Sequence, residues 1–268
     1  MRLSIFYDHV VKASQQSGKP IAEILSAISD SGIQAVELDL FHLDEPLEHL
    51  AYLKTAGIKV ACVNAFYSME KEFNEEQACA HIDAAIRCGA DHILVVPGFL
   101  SEQEGACLGD VIHDKKETYY FLDRCPSAVR IAEGLARITE IAKRRGISVT
   151  IEDFDNTASP VSGLNSMLWY FDKIPDLKCT FDTGNFITHN DDLFEAWACL
   201  KERVIHVHCK DRGIGPVAIG DGTLPIARIL NDISKDGYKG YTAIEHYGSS
   251  DQLGYMLRSA AYISSLGL

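Results

Sequence analysis

Residues 146–182, GISVTIEDFDNTASPVSGLNSMLWYFDKIPDLKCTFD, decide how the chain is read. Gly146 closes a helical stretch and leads into a short β-branched run, Ser148–Glu152. A helical segment near 162–172 comes next, then a second run, Lys178–Asp182. Strand, helix and strand in that order form a parallel βαβ unit. Each run ends in a carboxylate, Glu152 and Asp182.

Outward from there the same alternation fills the chain. Further strands are read at Leu3–Tyr7, Ala35–Asp39, Lys59–Asn64, His92–Val96, Val204–Lys210 and Tyr241–Glu245. Further helices are read near 20–31, 46–56, 74–88, 127–145, 191–200, 224–236 and 251–265. Helix ends carry the expected chemistry. Gly32, Gly57, Gly89 and Gly146 stand where a capping glycine belongs, Pro46 and Pro225 suit a first turn, and Asn74 before Glu76 and Gln77 reads as an N-cap. Eight strands and eight helices in 268 residues, with no biased linker, predict an α/β fold of one domain over 1–268. The architecture is the (β/α)8 TIM barrel, for which about 250 residues is typical. One connection breaks the rhythm. Residues 97–127 lack clear periodicity and follow strand 4 on the face where barrel active sites form. They are expected to make a lid or pocket wall, with an oligomer contact as the alternative.

Apolar residues at 47% and charged residues at 24% are ordinary globular proportions, which excludes disorder and coiled coil. A net charge of −13 repels nucleic acid and anionic lipid, so neither is an expected partner. The opening MRLSIFYDHV shows no signal-peptide pattern, and no run of 18 apolar residues occurs, so no membrane segment is expected. Eight cysteines, none in a CxxC pair, read as reduced thiols of a cytoplasmic protein. GIGPVAIGDG, at 213–222, is neither a dinucleotide fingerprint after a first strand nor a Walker motif, and no GxSxG is present.

Four consecutive strands end in metal-binding residue types: Glu152, Asp182, His208 and Glu245. The intervals are 30, 26 and 37 residues, each roughly one βα unit, which sets all four at one height on the C-terminal rim. Period-two alternation puts Thr150 with Glu152, Thr180 with Asp182, His206 with His208 and Ala243 with Glu245 on the face toward the barrel axis. Three carboxylates left unneutralised there would repel one another. With one imidazole they form a mixed hard and borderline donor set for a single divalent ion. Mn²⁺ is the first expectation, with Mg²⁺, Co²⁺ or Zn²⁺ as alternatives.

The segments TIEDFD, FDTGNF, HVHCKDR and AIEHYG, with the softer GIQAVEL and GDGTLP, resemble the xylose isomerase-like TIM barrels. That family includes sugar isomerases and epimerases, inosose dehydratases and, more distantly, the endonuclease IV group. The resemblance covers essentially the whole chain. It implies the same four metal ligands, and it implies Glu152 and Glu245 as the catalytic pair that moves a proton in the ketose 3-epimerases. The epimerases usually place a His three residues after the strand 6 Asp, where this chain has Asn185. That departure weakens both a strict 3-epimerase assignment and an endonuclease assignment, while an Asn can still bond a sugar hydroxyl. Substrate contacts are expected from Asn185, Arg212, Lys210, Glu37 and Phe66, with Tyr7, His9, Asn64 and Tyr67 as further rim candidates. Asp211 reads as an orienting or solvated residue. Asp221 reads as an outlying second-metal ligand or, with Gly220 and Gly222 beside it, a turn.

The expected function is a divalent-metal-dependent isomerase or epimerase of a small sugar or polyol, of ketose 3-epimerase or aldose–ketose type. It would act through a metal-stabilised enediolate, with a base within hydrogen-bond reach of the carbon-bound proton. An inosose-type dehydratase is the alternative. An endonuclease IV-like phosphodiester hydrolase is more remote, because early histidines are sparse and the chain is acidic. The expected partners are the small-molecule substrate and further copies of the chain in a dimer or tetramer.

Overall fold

The computed structural model describes residues 1–43 and 48–268. Its strands are β1 (Arg2–Phe6), β2 (Ile33–Asp39), β3 (Lys59–Phe66), β4 (His92–Val96), β5 (Ser148–Ile151), β6 (Lys178–Asp182), β7 (Val204–Lys210) and β8 (Tyr241–Glu245). They close into one barrel in sequence order, and β8 pairs with β1 through Ser4 opposite Ala243. The expected (β/α)8 barrel is the observed fold. All pairings are parallel, so every strand delivers its last residue to the same rim.

The helices are α1 (Tyr7–Ser17), α2 (Ile21–Asp30), α3 (Glu48–Ala56), α4 (Glu75–Cys88), α5 (Glu102–Val111), α6 (Lys115–Leu122), α7 (Pro126–Arg144), α8 (Leu164–Lys173), α9 (Leu193–Leu200), α10 (Ile226–Lys235) and α11 (Gln252–Ser265). In α10 the apolar positions Ile226, Ile229, Leu230 and Ile233 recur at i, i+3, i+4 and i+7, and all are buried. Each such burial is worth roughly 1.5–3 kcal/mol, which is what holds the helix on the barrel. Asn74 caps α4 by accepting from the Gln77 N–H at 3.0 Å, and Gly89 ends that helix at φ 74°, a conformation a Cβ would disfavour. Pro225 stands just ahead of α10, at its N-cap, not in its first turn. Pro46 lies outside the described residues.

Three helices depart from the expectation. Tyr7 opens α1 and does not end a strand. The 97–127 connection holds α5 and α6, both short and both fixed by their caps. Ser101 and Glu104 form a reciprocal capping box at α5, and Asp114 accepts from the N–H groups of Lys116 and Glu117 at 2.8 and 3.0 Å at α6. Each helix buries only two residues, Gly105 with Leu108 and Thr118 with Leu122, so they leave little periodicity to read and lean on caps and neighbours for stability. The connection packs against the residues that follow β5. Leu100 N–H donates to Ala158 O at 2.8 Å, and Asn165 Nδ2 donates to Ile112 O at 2.8 Å. Its Phe99 ring meets Phe154 at 5.8 Å. It therefore buttresses a wall of the cavity described below without lining it, and the lid is corrected to a support.

No helix among the described residues is long and apolar enough to cross a membrane. All eight cysteines are free.

Candidate active site

The C-terminal rim surrounds a cavity of about 700 Å³. Glu152, the first residue past β5, and Glu245, the last of β8, reach its wall. Asp182, the last residue of β6, and His208 of β7, opposite it in register, lie fully buried beneath it. The structure brings all four predicted ligands together around one imidazole nitrogen. His208 Nδ1 lies 2.7 Å from Glu152 Oε2, 3.4 Å from Glu245 Oε2 and 4.0 Å from Asp182 Oδ2.

Three of these atoms, Glu152 Oε2, Asp182 Oδ2 and His208 Nδ1, are buried and make no aligned hydrogen bond. They lie within 4.8 Å of one another and form a cluster able to hold a metal ion. The other side of the imidazole explains the opening. His208 Nε2 meets Glu37 Oε2 at 3.2 Å, and His206 Nε2 meets Glu37 Oε1 at 2.6 Å. A carboxylate accepting from Nε2–H leaves a lone pair on Nδ1, aimed at the carboxylates of β5, β6 and β8. Nδ1 and Oε2 at 2.7 Å call for positive charge at the cluster, carried by a proton or by a divalent ion, and three carboxylates with one imidazole are a donor set that fits the ion.

The electrostatics agree. Burial works against a charged His208, yet Glu37 and Glu152 together push its pKa well above the ordinary value. Burial, reinforced by Glu245, pushes Asp182 well up, and burial also raises Glu152. Glu37 runs the other way. Its burial is outweighed by His206 and His208, and its pKa falls well below the usual carboxylate range. Burial lowers His206 to about 4, so it stays neutral and donates to Glu37. The raised carboxylates Asp182 and Glu152 are the strained states that positive charge at the cluster would relieve.

Lys210 and Arg212 reach the wall, as expected. Lys210 Nζ binds Glu245 Oε1 at 2.6 Å, which outweighs burial and lowers the Glu245 pKa. Asn185 accepts from Lys210 and from Arg212, each at 3.0 Å, and donates to Asp153 O at 2.9 Å. Phe66 and Asn64 line the cavity, and Phe66 meets Phe154 edge-on at 6.2 Å. Glu37 lies below the cavity, saturated by two histidines, and touches no part of its wall. Tyr67 turns away to His81, at 3.0 Å. His9 is buried behind the wall, stacked on His246 at 4.8 Å. Asp211 ties down its own loop, accepting from four backbone N–H groups. Asp221 sits in a turn beside Arg258, at 3.6 Å. The sequence reading missed Asp155, Phe154, His246 and Tyr247, all on the wall. They stand past strand ends, where period two no longer tells which way a side chain points.

The family model of the xylose isomerase-like TIM barrel matches residues 25–266. The chain belongs to that family. Solved structures with this fold include the probable 3-DHS dehydratase AsbF of Bacillus anthracis, 15% identical, covering 98% of this chain and 99% of its own, with a TM-score of 0.72. The 3-keto-D-glucoside 4-epimerase YcjR of E. coli is 19% identical, with 88% and 91% covered and a TM-score of 0.66. The IolI protein with a bound zinc atom is 14% identical, with 98% and 97% covered and a TM-score of 0.72. At such identities these three share with this xylose isomerase-like barrel its fold. No curated protein matches the chain in sequence.

Proposed function

We propose that the chain is a divalent-metal-dependent enzyme that moves a proton beside a carbonyl in a small sugar or polyol, as an isomerase or epimerase. The observation that carries this reading is the open cluster. Three buried ligand atoms lack hydrogen bonds, and two glutamates from β5 and β8 flank the same imidazole nitrogen on the cavity wall.

The residues then have distinct tasks. Glu152, Asp182, His208 and Glu245 would hold one divalent ion, with Mn²⁺ preferred for a carboxylate-rich set. Once bound, such an ion supplies Lewis-acid stabilisation to the oxygen charge of an enediolate. Glu37 fixes the His208 tautomer. Glu152 and Glu245 exchange the carbon-bound proton, and Lys210 holds Glu245 in place and ionised. Removal on one face and return on the other inverts a stereocentre. Return to the neighbouring carbon by the same glutamate interconverts aldose and ketose. Asn185 and Arg212 meet hydroxyls, while Phe66 packs on the C–H edge. The 3-keto-D-glucoside 4-epimerase YcjR supports the chemistry class, and the zinc of IolI supports the metal. The eight free thiols support a reducing, cytoplasmic setting, and a homo-oligomer completes the reading.

The test is exchange in heavy water. Free ketoses, ketose phosphates and inososes are incubated with the Mn²⁺-loaded protein, and deuterium at carbon is followed by NMR. Incorporation next to the carbonyl is expected. Elimination of water to an unsaturated product would move the reading to a dehydratase, and no exchange in any substrate would remove it.

A further inference from the structure

We infer that the substrate is an uncharged sugar or polyol, carrying neither phosphate nor carboxylate. This rests on the isomerase or epimerase reading and narrows it.

The ionisable side chains on the cavity wall set the field. Asp8, Asp39, Glu152, Asp155, Asp211 and Glu245 face Lys210 and Arg212, six carboxylates against two cations. A divalent ion at the cluster removes two of the excess four, which leaves the wall negative toward an incoming anion.

Lys210 is also fully engaged, and Arg212 has acceptors of the chain for three of its five N–H groups. An ammonium has three N–H groups. Lys210 has three acceptors for them, Glu245 Oε1 at 2.6 Å, Asn185 Oδ1 at 3.0 Å and Asp155 Oδ2 at 3.4 Å. Its stem is held as well, because it runs so close to Gly184 that a Cβ there would meet its Cγ at 2.8 Å. Arg212 Nη2 pairs with Asp155 Oδ2 at 2.7 Å and Asn185 Oδ1 at 3.0 Å, and its Nε donates to Gly184 O at 2.8 Å. Asp155 thus bridges the two cations, and Glu245 pairs with Lys210 as well.

The β7 side of the usual phosphate place on this fold is also filled. Barrels that bind phosphate do so with backbone N–H groups of the loops after strands 7 and 8. In the loop after β7 these donors converge on a carboxylate of the chain itself. Gly220 and Gly222 donate to Asp211 Oδ2, both at 3.0 Å, and Arg212 and Leu224 donate to Asp211 Oδ1 at 2.8 and 3.2 Å. Gly222 lies so close that a Cβ would stand 2.1 Å from Asp211 Oδ1. An anion nest saturated by its own aspartate has no donors left for a ligand. Phe66, Phe154, Tyr247 and Pro216 give the remaining wall an apolar character that suits the C–H face of a sugar.

Calorimetry on the Mn²⁺-loaded protein with matched probes decides the matter: D-fructose against D-fructose 6-phosphate, D-ribulose against D-ribulose 5-phosphate, and 5-keto-D-gluconate as a carboxylate. Each neutral ketose that binds should do so at least about tenfold more tightly than its anionic counterpart. Asp155→Asn, which frees Arg212, should narrow the gap. Equal or tighter binding of an anionic probe by the wild type overturns the inference, as does the absence of binding by every neutral probe. Binding of neutral ketoses without deuterium exchange would instead leave the substrate class standing and remove the isomerase reading.

Discussion

Strands β1–β4 and β5–β8 are halves of one closed barrel, yet the buried carboxylate Glu37 of the first and the carboxylate–imidazole cluster of the second are treated in opposite ways. In the first half Glu37 has both carboxylate oxygens bonded, and buried His81 has both ring nitrogens bonded, to Tyr67 and to Val63 O, each at 3.0 Å. In the second half Glu152, Asp182 and His208 keep one buried atom each without a hydrogen bond. A satisfied buried group is architecture, because its bonds repay its desolvation. An unsatisfied cluster of three within 4.8 Å repays nothing unless a ligand arrives. The contrast assigns support to the first half and chemistry to the second.

The largest effects should come from the second half. Glu152→Gln and Glu245→Gln retain an amide oxygen for the metal but lose the ability to accept a carbon-bound proton near neutral pH. Turnover at saturating Mn²⁺ should fall by roughly 10²–10⁴, the usual worth of general acid–base catalysis, with the fold and much of the ion retained. Steady-state kinetics beside metal analysis checks it, and near-wild-type turnover in both variants would hand the proton transfer to another group.

A smaller effect is expected from Glu37→Gln, the point at which the halves touch. Loss of this carboxylate loosens the His208 tautomer, so Mn²⁺ affinity should drop by about 10–100-fold. Excess metal should restore most of the turnover. A defect that excess metal leaves untouched would make Glu37 part of the reaction and blur the contrast.

The smallest effect on turnover should come from His81→Gln. Burial holds the His81 pKa at about 4, below its ordinary 6.5. The folded state therefore refuses a proton that the unfolded chain accepts. The stability this neutral form contributes is complete above pH 6.5 and is lost as pH falls toward 4. A shift of this size corresponds to about 3 kcal/mol. His81→Gln should flatten the loss of stability between those pH values in denaturant titrations and leave neutral-pH turnover unchanged. An identical pH slope in both proteins would show that His81 is not a source of acid lability.

The same contrast explains what could be read in advance. The barrel was legible because eight short runs each recur with a helix between them. Glu152, Asp182, His208 and Glu245 were legible because each stands at or within two residues of a strand end, where spacing gives the height and alternation gives the face. The support was not. Glu37 acts on His206 across 169 residues, and His9 meets the N–H of His246 across 237, contacts that only barrel closure creates. Asp155 lies past β5, beyond the reach of alternation. Helix α1 begins at Tyr7, inside what reads as a strand, and α5 and α6 bury only Gly105 with Leu108 and Thr118 with Leu122, which makes no apolar stripe.

Calorimetric titration with Mn²⁺ tests most directly whether the second half holds the ion. His208 belongs to two buried groups, one with Glu152 and Asp182, the other with Glu37 and His206, so variants of Asp182 and His206 separate them. We expect one ion per chain in the wild type, lost in Asp182→Ala and retained in His206→Gln. An ion retained in Asp182→Ala and lost in His206→Gln, or no ion in the wild type, would contradict this assignment.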